Sequence, residues 1–137
     1  MYSAEFLINL IIDYNSLIRI AATGLGISSS QAFNILSIPF DGISMSGLSH
    51  KLGLDASTLT RNVNKLIKLD YMIKKSNNYD KRIQTIILTK RGRILKESLY
   101  DKINDLNYKT TSQLSIDEKE MIHLSIEKLA WALECNR

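Results

Sequence analysis

The sequence predicts one mainly α-helical domain that carries a small β-hairpin. Its 137 residues include one Pro and six Gly, so few residues interrupt helices. Apolar side chains recur at helical spacing along most of the chain, and two short β-rich runs flank a polar tip between residues 71 and 88. A hydrophobic content of 45% and a charged content of 23% are typical of a folded globular protein rather than a disordered one. The length suits a single domain, residues 1–137.

The first predicted helix runs from Ala4 to Ala22 and is apolar on more than one side. Ile8, Ile11 and Ile12 widen its apolar stripe beyond the arc usual for a surface helix. We therefore expect two packing partners, the helix's own domain and a second subunit. The segment has no basic start and contains acidic residues, so we interpret it as part of the folded protein, not as a signal peptide or membrane span. The stripe itself comprises Phe6, Leu7, Leu10, Tyr14, Leu17, Ile18 and Ala21.

Two short helices follow a Gly/Ser-rich break. A serine in that break caps the second helix, which extends to about Ser37 and ends before Pro39. Ser44 or Ser46 begins the third helix. Gly53 suits its C-terminus, where a left-handed backbone is least costly for glycine.

The fourth predicted helix has one apolar face and one polar, basic face. Asp55 is its expected N-cap, and the helix runs from Ala56 to about Leu69. The core positions are spaced i, i+4, i+7 and lie opposite the polar face. These core positions are Leu59, Val63 and Leu66.

A hairpin and two long helices complete the chain. One strand is predicted from Tyr71 to Lys75 and the returning strand from Arg82 to Leu88, joined by turn-forming residues 76–80. Thr89 caps a helix that extends to about Thr111. The last helix starts at Ser115 or Asp117. The predicted inward positions of these two helices are Leu95, Leu99, Ile103 and Leu106, then Ile122, Ile126, Leu129 and Leu133.

Positive charge is concentrated in and after the fourth helix. Between Arg61 and Lys96 there are eleven Lys or Arg and two acidic residues, a local net charge of +9 in a chain whose net charge is +4. Two short helices, a basic hairpin and this charge together predict a winged helix-turn-helix, a unit that inserts one helix into the DNA major groove. We place this lobe at about residues 28–92.

The candidate DNA-binding residues lie on the polar helix face and on the hairpin. Arg61 is the best candidate for guanine and Asn64 for adenine, because their side chains can contact those bases bidentately. Ser57 and Thr60 are expected at phosphates. On the helix the candidates are Ser57, Thr58, Thr60, Arg61, Asn64, Lys65 and Lys68, and on the hairpin Lys74, Lys75, Asn77, Asn78, Asp80, Lys81 and Arg82.

Three sequence blocks in register resemble the MarR family of regulators. They are LGLDASTLTRNVNKL (52–66), DKR (80–82) and LTKRG (88–92), within a similarity that covers roughly residues 29–99. The resemblance implies a homodimer that binds a pseudo-palindromic DNA operator, usually as a repressor. The single cysteine excludes an internal disulfide, so we expect a reducing cytoplasm as the compartment. The resemblance also implies dimerisation helices at about 4–22 and 105–135, and a hairpin wing whose Arg82 reaches the minor groove while Asp80 holds the wing. Asp70-Tyr71 departs from the family, which more often has glycine and an aliphatic residue there.

Other functions find little support in the sequence. No catalytic constellation, phosphate loop or cofactor motif is present, so we predict no enzyme and no cofactor. His50 and His123 are far apart and no cysteine cluster is present, so we predict no metal site. Cys135 is the single cysteine, and the sequence leaves its redox role open. The family also implies a small-molecule effector, for which Tyr14, Phe33, Phe40 and Trp131 are only generic lining candidates. The alternative function is a winged-helix protein-interaction module with weak DNA binding. For neither function do we expect a membrane partner.

Overall fold

The computed structural model describes residues 3–137 as six helices and a three-stranded antiparallel sheet, which confirms the predicted fold class. The chain divides into two compact units, one ending at Ile103 and the other comprising Asn104–Arg137. The elements in order are α1 (Ala4–Gly24), α2 (Ser29–Leu36), β1 (Ile43–Ser44), α3 (Met45–Leu52), α4 (Ala56–Lys68), β2 (Met72–Ser76), β3 (Gln84–Leu88), α5 (Lys90–Thr111) and α6 (Ile116–Cys135).

Local capping chemistry explains why the predicted helix starts are confirmed. Ser28 and Ser115 each form a capping box with the residue three positions on. Ser44, not Ser46, caps α3, and its hydroxyl accepts from the Gly47 N–H at 2.9 Å. Thr89 caps α5, because its Oγ1 accepts from the N–H three residues later at 3.0 Å.

The core of the first unit joins α2, α3, α4, the sheet and the start of α5. All three predicted core positions of α4 are buried. So are Leu95 and Leu99 on α5. The buried apolar cluster comprises Ala22, Ile27, Ala32, Ile35, Ile38, Leu48, Leu59, Val63, Leu66, Met72, Ile86, Leu88, Leu95 and Leu99.

The sheet differs from the prediction in its strand order and in the bounds of its strands, since β2 runs from Met72 to Ser76 rather than from Tyr71 to Lys75. Its order is β1-β3-β2, and the two-residue strand β1, which the sequence analysis missed, pairs Ile43 with Ile86. Strand β3 begins at Gln84 rather than at Arg82. The turn is longer than predicted because the Asp80 carboxylate accepts from the Arg82 N–H at 3.0 Å, which holds that residue in the turn.

Asp70, where the family more often has glycine, adopts a backbone conformation that favours glycine. Asp70 has φ of 61°, and among residues 3–137 it alone among non-glycine residues has positive φ. It is the left-handed residue of a Schellman ending to α4, in which Tyr71 N donates to Leu66 O at 3.0 Å and Asp70 N to Ile67 O at 2.9 Å. A glycine would adopt this conformation without a steric penalty.

The LTKRG block joins α5 to the hairpin base. Thr89 N donates to Tyr71 O at 3.1 Å, and Thr89 Oγ1 donates to Asp70 O at 2.6 Å. Gly92 is buried against the Tyr71 carbonyl, where a Cβ would not fit. These contacts fix the direction in which the hairpin leaves the lobe.

The predicted inward face of α6 is wrong for the single chain. No residue of α6 is buried, and Ile122, Ile126, Leu129 and Leu133 are all exposed. The helix α1 also exposes much of its apolar stripe. By length and composition, α1 is the one helix within residues 3–137 that could cross a membrane, with a mean hydropathy of 1.2 in its most apolar window.

Candidate nucleic-acid interface

The polar face of α4 presents its predicted residues to solvent. Ser57, Arg61, Asn64, Lys65 and Lys68 are exposed, and Thr58 and Thr60 are half-buried. The face is opposite the buried positions, because α4 packs its i, i+4, i+7 residues into the core. The structure therefore places all seven predicted helix residues on or beside one accessible, basic surface, which we call the α4 face.

Hydrogen bonds within the protein already use the hydroxyl groups of the α4 face. Asp55 Oδ1 accepts from Thr58 N at 2.7 Å and from Ser57 Oγ at 2.9 Å. These bonds lower the pKa of Asp55, the backbone bond from Thr58 most of all. Thr60 Oγ1 donates to Ala56 O at 2.7 Å. To donate to a phosphate as predicted, Ser57 and Thr60 would therefore have to give up an internal bond.

Asn64 is connected to the hairpin. Lys74 Nζ donates to Asn64 Oδ1 at 3.2 Å, and this bond spans from β2 to the middle of α4. An ammonium group can only donate, so the amide oxygen of Asn64 faces Lys74 and the amide N–H groups are directed elsewhere. The sequence analysis listed Lys74 among the hairpin candidates but did not predict this bond.

The tip of the hairpin is ordered by its own side chains. Asn77 Oδ1 accepts from Tyr79 N at 2.8 Å and from Asp80 N at 3.4 Å. Asn77 N donates to Ile83 O at 2.9 Å, which closes the turn. Tyr79 is fully exposed at this tip, and Asn78 beside it is also exposed. Sequence reasoning did not include Tyr79 among the site residues, although an aromatic residue in a polar turn was a visible signal.

Asp80 and Arg82 form a bidentate ion pair at the end of the turn. Arg82 Nε lies 3.1 Å from Asp80 Oδ1, and an Arg82 terminal nitrogen lies 3.3 Å from Asp80 Oδ2. The side-chain bond from Arg82, followed by its backbone bond, lowers the pKa of Asp80. The Arg82 side chain is 91% exposed, and Lys75 and Lys81 are exposed as well. The hairpin thus presents three cationic side chains to solvent.

A groove brings the α4 face and the hairpin together. It has a volume of about 730 Å³, and its lining includes Thr60 from α4 and both Lys74 and Arg82 from the hairpin. The start of α3 forms another part of its wall through Ser44 and Ser46. One predicted residue of the helix, Thr60, and two of the hairpin, Lys74 and Arg82, therefore line the same concave surface.

The groups considered for metal or redox chemistry form no cluster among the described residues. Within residues 3–137 no three His, Cys, Asp or Glu side chains cluster in a way that could hold a metal ion. His123 pairs with Glu127 on α6 at 3.3 Å, and Cys135 is exposed near the end of the same helix.

The geometry described so far defines a winged helix-turn-helix lobe. The sequence matches no protein-family model and no curated protein. Solved structures, however, are similar over nearly the whole chain. A mutant MarR from E. coli has a TM-score of 0.80 at 23% identity, with 95% of this chain and 98% of that chain covered.

Two further structures support the same comparison. A MarR protein from Peptoclostridium difficile has a TM-score of 0.76 at 26% identity, covering 95% of this chain and 86% of that one. The E. coli MarR mutant in complex with operator DNA has a TM-score of 0.71 at 25% identity, and 90% of each chain is covered. The chain therefore has the MarR winged-helix fold, and the resemblance predicted from its sequence blocks is confirmed.

Proposed function

We propose that this chain is a homodimeric, sequence-specific transcriptional regulator that binds double-stranded DNA. The observation that carries the proposal is the groove that Thr60 of the α4 face lines together with Lys74 and Arg82 of the cationic hairpin. The DNA major groove admits an α-helix, and a helix with polar and basic residues on its accessible side, next to a basic hairpin, complements the negative charge of the flanking phosphates. The E. coli MarR mutant of the same fold was solved with operator DNA.

The two elements have different roles in this proposal. The α4 face enters the major groove, where Arg61 contacts a base edge and Lys65 and Lys68 contact phosphates. The hairpin lies at the adjacent minor groove, where Arg82 enters a region of high negative potential. Asp80 keeps the turn in shape, since its carboxylate accepts from the backbone N–H of residue 82 as well as from the side chain.

The homodimer part of the proposal is supported by the apolar faces of α1 and α6. On α1, Ile8, Ile11 and Ile12 are more than half exposed. On α6, Leu124 and Trp131 are more than half exposed in a helix with no buried residue. Exposed apolar area of this extent is unusual for a monomer and is typical of an interface between subunits. A symmetric dimer presents two copies of α4, so its operator should be pseudo-palindromic.

A membrane partner is the competing explanation for α1, and we favour the dimer. The C-terminal part of α1 packs on the folded lobe, where Ala21 and Ala22 are buried. Asp13 and Arg19 lie in the same helix, where a spanning segment would have to place both charges in lipid. We propose a cytoplasmic, non-enzymatic protein that acts as a repressor, with release by a small-molecule effector as the family pattern suggests.

Fluorescence anisotropy with selected DNA tests the proposal. Duplexes enriched by the protein from a randomised pool would be titrated alongside a scrambled duplex. Because a net charge of +9 is concentrated between Arg61 and Lys96 of each chain, we expect specific binding to weaken ~10³–10⁵-fold between about 50 and 200 mM salt if about 6–10 phosphates are neutralised per dimer. A nearly flat salt response would support the protein-interaction alternative instead.

Substitutions then separate base contacts from backbone contacts. Arg61→Ala should cost about 1–3 kcal/mol on the enriched duplex and relax preference at one base position per half-site. Lys68→Ala removes the same charge from the same face and should weaken all duplexes alike. Arg82→Ala should act mostly at A·T-rich flanks. If Arg61→Ala left affinity and base preference intact, α4 would not be the element that reads the sequence.

Sedimentation tests the assembly independently of DNA. We expect one species with twice the chain's mass, and no stable folded monomer. Trp131→Glu, which places a charge on the exposed apolar face of α6, should shift the population towards monomer. A wild-type chain that sediments as a folded monomer would overturn the dimer proposal, and recovery with membranes would favour the competing role of α1.

A further inference from the structure

Tyr79, at the tip of the hairpin, is an aromatic residue that the predicted contact set left out. We propose that Tyr79 is a further DNA-contacting residue, whose ring packs between the sugar walls of the minor groove beside Arg82. This inference rests on the proposed function, which brings the hairpin to that groove, and it adds one contact to each half-site. The contact depends on the shape of the groove rather than on the identity of a base.

The turn fixes the backbone on both sides of Tyr79. Asn77 Oδ1 accepts from Tyr79 N at 2.8 Å and from Asp80 N at 3.4 Å. Asn77 N donates to Ile83 O at 2.9 Å, and Ile83 N donates to Asp80 O at 3.1 Å. These four bonds order residues 77–83, while Tyr79 itself extends into solvent and is 100% exposed. Because the backbone is already ordered and a tyrosine side chain has only two χ angles, little conformational entropy is lost when the ring contacts a partner.

The same turn carries Arg82, the proposed minor-groove residue. Tyr79 and Arg82 are three positions apart, so their Cα atoms lie within about 11 Å of each other. Asp80 lies between them, and its N–H donates to Asn77 while its carboxylate accepts from the Arg82 N–H. The Arg82 side chain is exposed to solvent from this turn. A duplex that receives the Arg82 guanidinium therefore also comes within reach of the Tyr79 ring.

The minor groove offers a suitable surface to a flat ring. It is about 6 Å wide, and proteins that bind it often insert apolar side chains there. Its walls are deoxyribose edges, whose C–H groups give the ring apolar area to cover, while the polar end of the tyrosine can stay hydrated. A·T-rich DNA brings the two walls closest together, so the contact is favoured at the same flanks as the proposed Arg82 contact.

A protein partner is the competing occupant, since tyrosine is enriched at protein interfaces. The charge of the hairpin favours DNA. Lys75, Lys81 and Arg82 are exposed on the same hairpin, whereas the cores of protein interfaces are depleted of charge. A tyrosine on a cationic hairpin instead suits a polyanion that also has apolar sugar edges.

The first measurement is titration of the enriched duplex by fluorescence anisotropy. Tyr79→Ala should weaken binding by at least ~5-fold, because each half-site loses a buried aromatic contact. Tyr79→Phe keeps the ring and removes only the hydroxyl, so its affinity should stay within ~2-fold of the wild type. Tyr100→Ala is the matched control, because it removes an exposed tyrosine of α5 that is outside the lining of the groove, and it should leave the affinity unchanged.

Hydroxyl-radical cleavage of the bound duplex locates the contact, because these radicals attack the sugars from the minor groove. The footprint is recorded at saturating protein, so that a difference in affinity does not alter it. The wild type and Tyr79→Phe should protect sugars at the flanks of each half-site. Tyr79→Ala should lose this flank protection and keep the protection of the half-site core.

The affinities and the footprint together decide the result. Wild-type affinity and footprint for Tyr79→Ala would overturn this inference alone and leave the tyrosine to a protein partner. An equal loss for Tyr79→Phe and Tyr79→Ala would overturn it by assigning the contact to the hydroxyl, as would a loss of affinity with intact flank protection or an equal loss for Tyr100→Ala. Enrichment of no duplex by the wild type would overturn it together with the proposed function. Because Asn77 bonds to the Tyr79 backbone, Tyr79→Ala should match the wild type in circular dichroism and sedimentation.

Discussion

Replacing Gly92 by alanine, at the junction of α5 and the hairpin, should have two opposing effects on the free energy of unfolding. Alanine favours a helix over glycine by about 1 kcal/mol. A Cβ at this position, however, would lie 2.9 Å from the Tyr71 carbonyl carbon, closer still to the carbonyl oxygen, and 3.3 Å from Leu88 Cδ2. Carbon atoms in contact normally remain about 3.5–4.0 Å apart, so α5 and the hairpin base would have to separate by on the order of 1 Å.

That separation determines the expected magnitude. It would weaken the bonds from Thr89 N to Tyr71 O and from Thr89 Oγ1 to Asp70 O, each worth about 0.5–1.5 kcal/mol. Overpacking of the junction adds about 1–3 kcal/mol. After subtraction of the helix-propensity gain, we expect Gly92→Ala to lower the free energy of unfolding by about 2–4 kcal/mol.

Urea unfolding followed by circular dichroism, at one fixed protomer concentration, measures this change. Gly24→Ala is the matched control. Gly24 ends α1, and a Cβ there would meet only the Lys102 side chain, at 3.5 Å or more. We expect Gly24→Ala to be neutral or stabilising by up to about 1 kcal/mol. A Gly92→Ala protein as stable as the wild type would refute the argument that the Tyr71 carbonyl excludes a side chain.

Three further predictions concern the backbone, the carboxylates and the charge of the interface. Asp70→Gly should raise the melting temperature by about 3–5 °C, because glycine relieves about 1 kcal/mol of left-handed strain, whereas Asp70→Ala should not raise it. The pKa values of Asp55 and Asp80 are lowered in the fold. Their contribution to stability should therefore be present above about pH 4 and be lost as the pH falls through the pKa values of the folded state. In thermal melts at a series of pH values, Asp55→Asn should make this loss of stability smaller. Lys81→Ala should reduce the slope of log affinity against log salt by about 1 on both enriched and scrambled duplexes, and a slope unchanged in titrations would exclude a phosphate contact.

The helix boundaries were predictable because short-range chemistry sets them. Ser28, Asp55 and Ser115 each cap a helix through bonds to residues three positions away, so each signal lies within a few letters of sequence. The Schellman ending of α4 is equally local. The family departure at Asp70 marked its position, but the left-handed conformation itself became visible only in the structure.

The missed features depend on partners that are distant along the chain. Strand β1 has two residues and exists because Ile43 pairs with Ile86, which no local periodicity reveals. The bond from Lys74 to Asn64 requires the hairpin to fold back on α4. The expected inward face of α6 failed for a related reason, since its apolar pattern indicates burial without identifying what covers it.

Separate bonds fix the hairpin at its base, along β2 and at its tip. The conformation of the cationic tip therefore does not depend on the ion pair between Asp80 and Arg82. Thr89 anchors the base to Tyr71, Lys74 joins β2 to α4, and Asn77 closes the tip. The Arg82 guanidinium lies in solvent, where an ion pair with Asp80 is weak and is easily exchanged for a phosphate or a groove. Since Asp80 still accepts from the Arg82 N–H after such an exchange, the turn can keep its shape while the side chain moves. A hairpin held in this way can present one releasable arginine to a minor groove, as proposed, and its rigidity follows from bonds among residues 70–89 and from the one bond to Asn64.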